Sequence, residues 1–104
     1  MAFADNLQAL PGIEHLAALH LLNAQGERIA SIDNKPGKQG SLRVYAALAA
    51  KHGSINTAAA QEGLELFAEH TTDARSNPGK HPNIDRLLDV IEQGSTYQVE
   101  LEKA

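Results

Sequence analysis

The run Ile13-Glu14-His15-Leu16-Ala17-Ala18-Leu19-His20-Leu21-Leu22-Asn23-Ala24-Gln25-Gly26-Glu27-Arg28-Ile29-Ala30-Ser31-Ile32 decides the fold class. Its first ten residues are ambiguous, because apolar side chains fall at both helical and strand spacings. The next four remove the ambiguity. Asn23-Ala24-Gln25-Gly26 has the composition of a tight turn, with glycine last, where a positive φ is often needed. The short run Glu27–Ile32 follows it, and two such runs across a turn read as a β-hairpin. Leu16, Leu19, Leu21 and Leu22 occupy both faces of the first strand, which predicts a central position buried on two sides.

Outward from the hairpin the breakers divide the chain. Asp33–Gly40 is a loop, and Ser41 is a natural N-cap for a helix over LRVYAALAAKH that ends at Gly53. Leu42, Tyr45, Leu48 and Ala49 share one face of that helix. Asn56 or Thr57 caps a longer helix reaching Ala74, with Ala60, Leu64, Phe67 and Thr71 facing inward. Gly63 inside it costs about 1 kcal/mol against alanine and marks a close helix crossing. The loop Ser76–Pro82 stops that helix, and Asn83 caps a third, in which Ile84, Leu87, Leu88 and Ile91 form an amphipathic stripe ended by Gly94. Thr96–Glu102 alternates strictly and reads as a half-buried strand beside the first. Upstream, residues 5–10 make one helical turn, capped by Asp5 or Asn6 and ended by Pro11-Gly12. The expectation is an α+β domain over residues 1–104: a three-stranded, mostly antiparallel sheet in the order ββαααβ, covered on one face by three helices.

Composition excludes several classes of function. The 104 residues contain no cysteine, so neither disulfides nor thiolate metal ligands are available. The N-terminal MAFADNLQAL lacks a basic segment and carries Asp5 where a signal peptide is apolar. No apolar run approaches the roughly 20 residues of a membrane span. A soluble cytoplasmic protein is expected. Alanine supplies 17 of the apolar residues, which points to close-packed helices over a thin core. Four aromatic residues and a net charge of −4 argue against nucleic-acid binding, which needs stacking platforms and clustered cations. Charge is also segregated: Glu27–Asn56 is locally basic, whereas Thr57–Asp73 holds Glu62, Glu65, Glu69 and Asp73 with no lysine or arginine, as in a solvated acidic helix.

Two helices are introduced by nearly the same phrase. Pro36-Gly37-Lys38-Gln39-Gly40-Ser41-Leu42 precedes the first, and Pro78-Gly79-Lys80-His81-Pro82-Asn83-Ile84 the third. Pro-Gly is an ordinary turn and Ser or Asn an ordinary cap, so the echo is explicable without function. A helix N-terminus nevertheless exposes unpaired N–H groups and attracts anions. If the loops lie together, Lys38, Gly40, Ser41, Lys80, His81 and Asn83 can hold a phosphate, a carboxylate or an acidic peptide segment. Walker A and G-x-G-x-x-G patterns are absent, as are the G-x-S-x-G elbow and HExxH.

Among the five histidines, His15 and His20 lie on opposite sides of the first strand and cannot chelate together. His52 sits at a helix C-terminus, where the dipole favours a cation. His70 and His81 can meet across the second loop as a weak metal or acid–base cluster, with Glu69 or Asp73 nearby. Surface or capping roles are the plainest account of all five.

The run Ala59–Thr71, the phrase Pro78–Asp85, the turn Leu22–Gly26 and the Pro36-Gly37-Lys38 loop together resemble a family of short bacterial proteins filed as a domain of unknown function. That resemblance implies a bacterial source and a stand-alone domain, and it assigns no catalytic residue. The expected function is a non-catalytic binding or interaction module, with the two helix-entry loops as its polar contact site, a protein, a small anion or a second copy of the chain in a homodimer as partner, and neither cofactor nor metal. The alternative is a small enzyme or ligand-binding protein with His70 and His81 in a cleft.

Overall fold

The computed structural model describes residues 2–104. The hairpin forms as expected, with β1 (Leu16–Leu22) and β2 (Arg28–Asp33) antiparallel. Its turn is closed by Asn23, whose Oδ1 accepts the N–H groups of Gln25 and Glu27 at 3.0 and 2.9 Å, while Gly26 adopts φ 80°. The pairing slips between Leu21 and Leu22: Leu21 faces Ala30 and Leu22 faces Arg28, which leaves Ile29 as a bulge, 45% exposed. The last strand, β3 (Gln98–Lys103), lies antiparallel on the other side of β1, so the sheet order is β2-β1-β3. The α+β class, the central first strand and the neighbouring last strand are as the sequence indicates.

The helical layer is more divided than expected. The turn near the N-terminus is a helix, α1 (Phe3–Gln8), followed by α2 (Gln39–His52), α3 (Thr57–Phe67), α4 (Glu69–Ser76) and α5 (Pro82–Gln93). The helix expected to run unbroken to Ala74 breaks at Ala68, a non-glycine residue at φ 51°, ψ −118°. The Thr71 hydroxyl donates to the Leu64 carbonyl at 2.6 Å across that break, satisfying an acceptor that a continuous helix would have paired. Three caps also differ. Ala2 precedes α1, so Asp5 and Asn6 lie inside that helix rather than capping it. The α2 helix begins at Gln39 with Lys38 as its cap, so Ser41 lies inside the first turn. Proline opens α5 at its first position behind His81, so Asn83 is likewise inside. Asn56 caps α3 as expected, its Oδ1 accepting the Ala59 N–H at 2.8 Å.

Leu19, Leu21 and Ile32 from the sheet join Leu42, Tyr45 and Leu48 of α2 and Ile84, Leu87 and Val90 of α5 in one core. Of the alanines, Ala59, Ala60 and Ala74 belong to it, so leucine, isoleucine and valine provide most of its bulk. Gly63 marks the expected crossing: a Cβ there would lie 2.7 Å from Leu87 Cδ1 and 2.9 Å from Leu48 Cδ1. No helix among the described residues is long and apolar enough to cross a membrane.

Candidate functional site

The two P-G-K loops open onto one cleft of about 490 Å³. Gly37, Gly40 and Ser41 line it from the first loop and the start of α2; Lys80, His81 and Asn83 line it from the second loop and the start of α5. His70 from α4 completes the polar wall, with its ring centroid 5.6 Å from that of His81. Lys38 is not among the lining residues, since it caps α2 beside the cleft.

Neither helix entering the cleft has a side-chain cap. The backbone N–H groups of Gln39, Gly40, Ser41 and Asn83 donate to no other backbone or side-chain group among the described residues. These are orphan first-turn donors, and the two helix dipoles add partial positive charge at the same place.

The opposite wall is apolar. Phe3 reaches it from α1 and stacks on Phe67 with centroids 5.4 Å apart, while His70 meets the Phe3 ring edge-on at 4.9 Å. The Asn6 amide anchors α1 by donating to the Leu66 carbonyl at 3.0 Å, and the Phe3 N–H donates to Glu69 Oε1 at 2.8 Å. That N–H holds the Glu69 carboxyl below its ordinary range. Gly40 leaves room for the Phe3 ring: a Cβ there would lie 3.1 Å from Phe3 Cζ, and the ring would have to give by a few tenths of an ångström.

Asp73 organises the second loop. Its Oδ2 accepts from His81 Nε2 at 2.7 Å and lies 3.1 Å from Lys80 Nζ. These two hydrogen bonds bring the carboxyl down to about 2. With Nε2 engaged, His81 retains Nδ1 as its remaining nitrogen. No group of three or more His, Asp or Glu side chains among the described residues is arranged to hold a metal ion.

The other histidines lie elsewhere. His15 precedes β1 and is exposed. His52 and Lys51, at the end of α2, share Glu62 Oε1 at 3.1 and 2.8 Å, so this member of the acidic face ties α2 to α3. His20 is the exception to surface roles, being only 5% exposed. Its Nε2 meets Glu102 Oε1 at 2.8 Å and its Nδ1 meets the Ser31 hydroxyl at 2.7 Å. Serine, imidazole and carboxylate in line have the makings of a nucleophilic triad, but here they come from three adjacent strands on the open sheet face and border none of the clefts described. The arrangement is a tie across β2, β1 and β3.

Tyr45 is the site-related residue that sequence reasoning missed. Its buried hydroxyl donates to the Asn83 carbonyl at 2.5 Å and accepts from Arg86 Nη1 at 3.2 Å. Arg86 also donates to Asn83 Oδ1 at 2.9 Å. Tyr45 thus fixes the start of α5 against α2 and sets how the two helix entries face each other. The available signal was a tyrosine on an inward helix face, since a buried phenol needs a partner.

No curated protein and no solved structure matches the chain. The resemblance carried by the Ala59–Thr71 run and the two P-G-K phrases is borne out by a match over residues 3–101: the chain belongs to the family described as an uncharacterized protein conserved in bacteria (DUF2322).

Proposed function

We propose that this protein is a non-catalytic binding module whose cleft receives a small anion-bearing ligand. The observation that carries the reading is the convergence of both uncapped helix entries, α2 and α5, on one cleft. Orphan N–H groups buried by a ligand need acceptors, and an anion supplies them best. Lys80, paired with Asp73 at 3.1 Å, adds a positive charge at the rim. We also infer a cytoplasmic location, because a chain without cysteine gains nothing from an oxidising compartment.

Titration with acetate and with inorganic phosphate, followed by amide NMR, tests the reading. The Gly40, Ser41 and Asn83 amides are expected to shift together, and Lys80→Ala to weaken binding about threefold to tenfold with the unfolding midpoint unchanged. Amides that stay in place at millimolar concentrations of both anions would sink it.

One observation favours a second reading, acid–base catalysis in the same cleft. Asp73 orients His81 through Nε2, and His70 stands beside it with no hydrogen bond to its ring nitrogens among the described residues. A carboxylate-oriented imidazole is the arrangement general-base chemistry uses. Under this reading His81→Gln removes turnover of a bound ester substrate; an unchanged rate refutes it.

A further inference from the structure

Resting on the anion-binding reading, the geometry points to the other end of the ligand: a flat apolar body, so that the occupant is a monocarboxylate carrying an aryl or similar group. The wall facing the helix entries is a built aromatic surface. Phe3 and Phe67 stack with an interplanar angle of 17°, and the His70 ring stands at 84° to Phe3. Leu7 and Ile84 extend the same apolar side. Phe3 packs against the edge of the core from α1 but is only half-buried, and it is one of the residues that line the cleft. It is held at the cleft by the bonds that anchor α1 and by the space left at Gly40. An aromatic ring fixed at a cleft wall offers a partner for stacking or edge-on contact.

Charge limits the polar end. Lys80 is the only lysine or arginine that lines the cleft among the described residues, and Asp73 already engages it. A single negative charge is therefore matched by helix-entry N–H groups and one shared cation, whereas a phosphate dianion or a polyanion is not. About 490 Å³ falls within the range of small-molecule sites and accommodates one ring with a short acidic arm.

Four probes on the full chain, read by calorimetry and amide NMR, test this: acetate, phenylacetate, 2-phenylethylamine and inorganic phosphate. Phenylacetate is expected to bind about tenfold or more tighter than acetate, because its ring leaves water at the aromatic wall. The amine, with the same body and the opposite charge, is expected not to bind. Phe3→Ala should reduce phenylacetate affinity about tenfold and acetate affinity by much less. Phe3→Leu keeps apolar mass without the flat ring and should give an intermediate loss. If phenylacetate binds no tighter than acetate, or phosphate binds tighter than phenylacetate, the apolar-body inference is overturned while the anion reading stands. If no anion binds, or the amine binds as well as phenylacetate, the anion reading itself falls and the inference with it.

Discussion

Tyr45 shows how much of the site depends on one hydroxyl. Burial raises its phenol from 10.0 to about 12. The folded value lies above the unfolded one, so the hydroxyl's contribution is complete below pH 10.0 and is lost as pH rises through about 12. Tyr45→Phe removes the donor to the Asn83 carbonyl and is expected to cost about 1–2 kcal/mol at neutral pH. Its stability should also decline less steeply than the parent's across that alkaline window. Denaturant unfolding from pH 8 to pH 12 checks both; parallel curves would show that another group titrates. At this scale the sequence was partly legible. The repeated P-G-K phrase pointed to Gly40, Ser41, Lys80, His81 and Asn83, which line the cleft, because turn and cap chemistry is local; it gave no sign of Phe3, Leu7 or Phe67, and Lys38 falls outside the lining. The partners of Tyr45 and His20 were not legible, since the Asn83 carbonyl lies 38 residues away and Glu102 lies 82 residues away.

At the scale of elements, the crossing at Gly63 and the break at Ala68 decide how α3 presents its ends. Gly63→Ala gains about 1 kcal/mol in helix propensity. It also drives a methyl into Leu48 and Leu87, both fully buried and unable to swing into water. Overpacking of this kind costs about 1–3 kcal/mol, so the variant is expected to be neutral to about 2 kcal/mol less stable, measured by thermal or denaturant unfolding. A clear gain in stability would mean that the leucines repack without strain. Glycine in a helical pattern signalled the crossing, because close approach is its usual reason. Nothing local signalled the break at Ala68, where alanine is a strong helix former in an unfavourable conformation. Packing supplies the cause: the turn sets α4 so that His70 faces the cleft while Thr71 caps Leu64.

For the molecule as a whole, the contiguous core that links hairpin, α2, α3 and α5 supports the proposal that residues 1–104 act as one domain. Unfolding followed by far-ultraviolet circular dichroism and by tyrosine fluorescence should then give one coincident transition. Two separated transitions would divide the chain. What the sequence determined by itself was what short-range physics controls: the hairpin, through its turn and two-faced leucines; the helical stripes, through their period; and the last strand, through its alternation. Tertiary structure alone decided the break at Ala68, the ties made by Tyr45 and His20, and above all that the two helix entries meet. Side-chain periodicity and turn chemistry operate over a few residues, whereas the meeting of two loops separated by the whole of α2, α3 and α4 is set by how those helices pack.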